Sequence, residues 1–230
     1  MIKHNPIILA LDIGDITQAK ELLIILKGKI GVVKLGMEFF NANGIAGVEE
    51  IAKIGIPIFM DLKLHDIPNT VAGGIKSIAH LNPLFFTIHT LGGRAMMERA
   101  VETADACGMT TTLLGVTILT SMDDDGLKEI GLKYTPRNEV LLLARLAVDS
   151  GMRGLVCSPQ EISLLRRDLG NDITLVTPGI RPAGSSHGDQ SRVRTPKEAI
   201  DAGTDYIVIG RPITEADDPA KVAQDILDSL

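Results

Sequence analysis

The chain has 230 residues, 45% hydrophobic and 23% charged, which suits one sizeable globular domain with a large core. Its formal net charge is −6 and its pI is near 5.4, so bulk electrostatics exclude nucleic acid and anionic membrane as favoured partners; an anionic small molecule would need a local positive field. Aromatics are 3% and Trp is absent, which excludes stacking platforms of the single-strand-binding type.

The first element lies in "MIKHNPIILALD". One Lys precedes an apolar run that stops at Asp12. That run is too short for a signal peptide or a membrane span, so 7–12 reads as a strand. "ITQAKELLIILKGK" then spaces its apolar residues as a helix does. The alternation continues with strand "GVVKLG" (31–36), helix "GIAGVEEIAKIG", strand "IPIFMDLK" (56–63) and helix "NTVAGGIKSIAHL". Next come strand "LFFTIHT" (84–90), helix "GRAMMERAVETADACG", strand "TLLGVTILT" (112–120) and helix "NEVLLLARLAVDSG". The last units are strand "GLVCSP" (154–159), helix "PQEISLLRRDLG", strand "ITLVTPGI" (173–180), helix "TPKEAIDAG", strand "DYIVIGR" (205–211) and helix "PAKVAQDIL".

Several of these helices end in Gly, a common C-cap. Alternating β and α means parallel strands with helical crossovers. Eight units in this length predict a closed (β/α)8 barrel rather than an open doubly wound sheet. No G-x-G-x-x-G follows the first strand, which weakens a dinucleotide-binding fold. No linker or low-complexity stretch interrupts the rhythm, so residues 1–230 read as a single barrel domain. Cys107 and Cys157 form neither a metal motif nor a disulfide framework, and a reducing cytoplasm is the expected location.

In such barrels the reactive groups sit at the C-terminal ends of the strands. Strand one ends in Asp12 and strand two carries Lys34. Strand three ends in Asp61 and Lys63, with Asp66 just beyond, and strand five ends at Thr120 and Ser121. Strand seven runs into Arg181, and strand eight into Gly210 and Arg211. His89 and Ser158 are expected to be solvated strand ends. Period two puts Asp61 and Lys63 on one face of strand three, with Met60, Leu62 and Leu64 on the other. If the charged face is interior, Lys34 lies beside it, and Lys34, Asp61, Lys63 and Asp66 alternate in sign. Alternation holds Asp61 ionised and Lys63 protonated, which suits a proton donor beside a developing carbanion. The bland alternative is a structural ion pair, but a pair alone rarely adds stability.

Two further features point to an anionic substrate. "VIGRPIT" (208–214) places a Gly-Arg step after strand eight, near a helix start, the usual phosphate position of this architecture, although Gly-Arg-Pro is also a serviceable turn. "RPAGSSHGDQSRVRT" (181–195) is a long polar loop, read either as a lid or as a plain surface connection.

"ALD", "VVKLG", "DLKLHDIPNTV", "TPGIRP" and "VIGRPIT", in this order, strongly resemble the bacterial-type orotidine 5′-phosphate decarboxylases from the first strand to the last. The resemblance implies that Lys34, Asp61, Lys63 and Asp66 form a catalytic charge network, with Lys63 protonating the ring carbon after carbon dioxide leaves. It implies that Asp61 faces the substrate carboxylate and that Asp12 and Lys34, with Asp66 and Thr70 of a second subunit, hold the ribose. The block Asp61, Leu62, Lys63, Leu64, His65, Asp66, Ile67, Pro68, Asn69 and Thr70 would line the substrate, and Thr120 would touch the pyrimidine. Arg181, Gln190, Gly210 and Arg211 would take the phosphate. No metal or cofactor is implied, and the partners are a nucleotide substrate and a second copy of the chain.

Two other readings compete. Related barrels carry the shorter D-x-K-x-x-D and use magnesium on sugar phosphates, but they need a carboxylate ligand on strand one or two. Here strand two offers Lys34, with Glu38 only later. A non-catalytic phosphometabolite-binding barrel would need the phosphate cluster without the charge array on strand three.

Overall fold

A computed structural model describes residues 4–182 and 194–230. Eight parallel strands close into a barrel in chain order, with the eighth paired to the first. They are β1 (Ile7–Leu11), β2 (Val32–Leu35), β3 (Ile58–Leu64), β4 (Phe85–His89), β5 (Thr112–Val116), β6 (Gly154–Val156), β7 (Thr174–Thr177) and β8 (Tyr206–Ile209). Several predicted runs extend past these ends. Residues 117–120 and 178–180, assigned to strands from their composition, form the loops above β5 and β7.

The alternation along each strand builds two apolar layers. Ile8, Ala10, Val32, Phe59, Phe85, Leu114, Val176 and Val208 pack together inside the barrel. Ile7, Leu9, Leu11, Val33 and Leu35 face outward and join the larger core beneath the helices. Strands buried on both faces carry near-continuous apolar runs, as these do. Above the inner layer the same inward parity reaches Lys34, Asp61 and Thr87, so polar side chains top a greasy plug.

Ten helices surround the barrel among the described residues. They are α1 (Ile16–Leu26), α2 (Met37–Ala52), α3 (Pro68–Ile78), α4 (Arg94–Ala106), α5 (Asp124–Glu129), α6 (Pro136–Asp149), α7 (Ile162–Leu169), α8 (Pro196–Asp201), α9 (Arg211–Thr214) and α10 (Pro219–Asp228). Asp15 caps α1 by accepting from the Thr17 and Gln18 N–H groups, and Thr195 with Glu198 forms a capping box on α8.

Two helices depart from the sequence expectation. α2 starts at Met37 and not at Gly44, where the periodic pattern begins; Gly44 breaks it at φ +60°, a conformation glycine adopts without strain. α5 was not anticipated. Its six residues are started by the Asp123 carboxylate accepting from the Gly126 N–H, a local cap on a helix too short to show a period. No helix among the described residues is long and apolar enough to cross a membrane.

Candidate active site

The barrel mouth gathers charges of alternating sign. Lys34 Nζ stands 3.4 Å from Asp12 Oδ1 and 3.5 Å from Asp61 Oδ2. Lys63 Nζ lies 2.8 Å from Asp61 Oδ1. The order across adjacent strands is therefore Asp12, Lys34, Asp61, Lys63. The pairing register explains the proximity: Lys34 is opposite Ala10 on one side and Phe59 on the other, so it rises between the ends of β1 and β3. Gly36 leaves room for it, because a Cβ there would sit 3.0 Å from Lys34 Nζ and 3.2 Å from Asp12 Oδ1.

Period two alone implies an ordinary strand residue at Lys63, and the structure shows otherwise. Its φ is +50°, in the left-handed region that non-glycine residues rarely enter. Such a residue costs roughly 1–3 kcal/mol and persists only where its surroundings hold it. The β3–β4 register shifts between Met60 and Leu64, across this residue. Thr87, wholly buried on β4, supplies the grip. Its Oγ1 accepts the Lys63 N–H at 2.9 Å and donates to Asp61 Oδ1 at 3.0 Å.

Asp61 is only 9% exposed. Burial alone would raise its pKa, but Lys34 and Lys63, with hydrogen bonds from Lys63 and Thr87, outweigh that and hold it below the ordinary carboxylate value. A fixed negative charge thus sits between two ammonium groups. Beside it opens a cavity of about 180 Å³ whose other wall is apolar, including Phe59, Val116, Val156, Val176 and Val208. Two roomier depressions share no lining residue with it: one of about 450 Å³ runs along α6 from Asn138 to Asp149, and one of about 470 Å³ lies between the starts of α5 and α6 and residues 160–161. At the mouth a charge array and an apolar wall face each other.

The whole chain has known relatives. Residues 5–226 match the model of the Orotidine 5'-phosphate decarboxylase / HUMPS family. The chain belongs to that family. It is 52% identical over 227 residues to the orotidine 5'-phosphate decarboxylase of Ehrlichia chaffeensis, covering 98% of this chain and 97% of that one. The enzyme of the same name from Erythrobacter litoralis is 50% identical over 222 residues, covering 96% and 97%. Among solved structures, orotidine 5'-phosphate decarboxylase from Lactobacillus acidophilus superposes with a TM-score of 0.85 at 40% identity, covering 97% of this chain and 98% of that one.

In this decarboxylase-family barrel the other expected site residues fall into groups. Thr120 lines the cavity mouth with Leu119. Gly210 leads from β8 into α9, whose first residue is the exposed Arg211. Arg181 follows the bridge between Ile180 and Arg194, and its N–H donates to the Arg194 carbonyl at 3.0 Å. Gln190 and most of the expected lid lie outside the described residues.

Asp66 does not join the array built from its own chain. It is exposed, accepts the Ile67 N–H at 2.7 Å, and pairs with no Lys or Arg among the described residues. Pro68 opens α3, so Asn69 and Thr70 stand exposed on its first turn. Leu62 and Leu64 pack against the outer core.

Two expectations about lone residues need correction. Ser158 is buried, 1% exposed, and its N–H donates to Glu161 Oε2 at 2.8 Å across the short turn that leads into α7. His89 is partly buried and stacks on His65, with centroids 5.2 Å apart and 19° between planes. A polar strand end reads as solvated until the neighbouring loop is known to fold over it. Thr87 and the buried Cys157 also escaped sequence reading. Their inward parity was the available signal, but Thr and Cys suit a plain core equally well. Burial pushes the Cys157 thiol up to about 12 against the hydrogen bond with Thr177, so it is no thiolate nucleophile at neutral pH.

Burial, followed by the nearby charges of His65 and Lys63, pulls His89 down to about 4. An unfolded His titrates near 6.5. Between those values the unfolded chain binds a proton that the folded barrel refuses. Stability should therefore fall as pH drops through this window and, for this group, level off below about 4. His89→Gln is expected to flatten the dependence of the urea midpoint on pH across the window. An unchanged slope would assign the effect to another group.

Proposed function

We propose that the chain decarboxylates orotidine 5′-monophosphate to uridine 5′-monophosphate, a step of pyrimidine biosynthesis in the cytoplasm, as one catalytic domain. The observation that carries this reading is the Asp12–Lys34–Asp61–Lys63 array facing an apolar wall. The relatives' names point the same way. The reaction breaks the bond between the ring carbon and its carboxylate and leaves the electron pair on the ring. Carbon dioxide leaves as a neutral molecule, for which the Val116, Val156, Val176 and Val208 side suits better than water. The carbanion gains little from delocalisation, so preorganised charge is what a protein can add. Lys63 stabilises it and transfers an ammonium proton to the same carbon. The lysine then takes a proton from solvent.

Asp61 pairs with Lys63 Nζ at 2.8 Å and opposes the substrate carboxylate, which favours its departure. Arg181, Gln190, Gly210 and Arg211 hold the phosphate, and that remote binding contributes to the barrier drop. Thr120 meets the pyrimidine edge. The enzyme acts as a homodimer in which the partner subunit's Asp66 and Thr70 complete each site. Exposed Met37, Ile67 and Leu91 follow the neighbouring strands β2, β3 and β4 at this rim, and an apolar rim patch favours a protein partner.

The test is the absorbance change of orotidine 5′-monophosphate with and without chelator. We expect turnover in both, unchanged after dialysis against chelator, because the ammonium groups supply the positive charge. Among the described residues no three His, Cys, Asp or Glu side chains gather as a metal-ligand group. Activity lost to chelator and restored by magnesium would instead support the metal-dependent sugar-phosphate branch of the family.

A further inference from the structure

We propose that Thr87 is a positioning residue for the decarboxylation, its hydroxyl fixing together the Asp61 carboxylate and the turn that aims Lys63. The inference rests on the decarboxylase reading above and adds a residue to it.

The hydrogen-bond roles are determined by chemistry. The Lys63 backbone N–H can only donate, so Thr87 Oγ1 accepts from it at 2.9 Å. The hydroxyl proton is then directed to Asp61 Oδ1, 3.0 Å away. A hydroxyl donating to a carboxylate makes a charge-assisted bond. Oδ1 thus receives both Thr87 and Lys63 Nζ, while Oδ2 faces Lys34. Three directions of approach fix the rotation of the carboxylate.

The backbone half of the grip matters as much. β4 runs in unbroken register beside β5 from Phe85 to His89. β3 is the side that gives way, with its shift between Met60 and Leu64 and Lys63 at φ +50°. A side-chain oxygen from the regular strand therefore meets the N–H that the shifted ladder leaves. Thr87 is 0% exposed, so no water can replace it without a cavity. Rotation of Asp61 or relaxation of Lys63 would move the ammonium that has to reach the ring carbon, and small misplacements of reacting groups carry large rate costs.

The experiment compares Thr87→Ser and Thr87→Val with the parent on orotidine 5′-monophosphate. Thr87→Ser keeps the oxygen and should stay within about threefold of parent kcat. Thr87→Val keeps the shape, strands the Lys63 N–H, and should lower kcat about 10- to 100-fold with KM changed much less. Loss of the hydroxyl donor also weakens the preference for ionised Asp61. The acid limb of the kcat profile should then move toward neutral pH in Thr87→Val and stay in place in Thr87→Ser. A merely structural role would lower the melting temperature but leave kcat per folded site and the acid limb where they were. If Thr87→Val does not fold, Thr87→Ala, which cannot overpack, takes its place with the same expectations. An active parent with a Val or Ala variant within twofold in kcat and an unmoved acid limb would overturn the inference. A parent inert toward orotidine 5′-monophosphate would overturn the decarboxylase reading and this inference with it.

Discussion

Lys63→Ala should lower kcat on the order of 10⁴-fold while changing the affinity for uridine 5′-monophosphate far less. In the proposed mechanism the ammonium has two roles that arise only as the carboxylate departs. It neutralises charge growing on the ring carbon, and it delivers the proton. Removing one preorganised electrostatic donor costs about 10² to 10³ in rate, and losing a general acid costs a comparable factor. The product carries neither the leaving carboxylate nor the carbanion, so product binding lacks both contributions. The proposed phosphate-binding residues are untouched, and Lys34 still faces Asp61 after the change. A lysine that served only to neutralise Asp61 would give a different pattern, with lower stability and a modest rate effect. The decisive measurements are single-turnover kinetics and product titration on the same preparation. A Lys63→Ala enzyme that kept most of its turnover would end the proton-donor assignment.

Mixing two inactive variants should restore activity to about a quarter of the parent. The variants are Lys63→Ala and Asp66→Asn, combined under conditions that exchange subunits. Asp66 sits beyond the end of β3, with Pro68 turning the chain outward into α3, and its carboxylate is exposed and away from its own charge array. In the proposed dimer it would serve the neighbour's Lys63 and not its own. In a two-fold dimer with shared sites, a mixed pair has one site with both lesions and one with neither. Random pairing makes half the dimers mixed, so about one site in four is intact. Mass spectrometry of the mixture reports whether exchange took place. Exchange without recovered activity would assign Asp66 to its own subunit.

Much of this was legible from the chain. Eight apolar runs separated by amphipathic helices specify a parallel barrel, because a parallel strand needs a crossover and a closed sheet has no edge to protect. The inward parity of Lys34 and Asp61 follows from period two, and their place at the rim from the rule that barrel chemistry gathers at strand ends. Five motifs in order, among which the ten-residue block around Asp61 and Lys63 is specific, carried the family that the match over residues 5–226 shows. Short elements were less legible. α5 has six residues and α9 four, set by a local cap and by Pro, and a period cannot be read from so few.

What tertiary structure decided is the conformation of residues whose neighbours come from other strands. Nothing in "DLKLHD" signals that Lys63 takes φ +50°, because that strain is held by a hydroxyl from β4, 24 residues away in sequence. The burial of His89 and Ser158 depends in the same way on loops folding over them. The exposure of Asp66 follows from the outward start of α3. Sequence by itself determined the alternation, and so the fold, the family and the identity of the charged residues at the mouth, since these depend on local periodicity and residue type. Distances within the charge array, the depressed pKa of Asp61 and the grip of Thr87 depend on strand register across the barrel, which exists only once the sheet has closed.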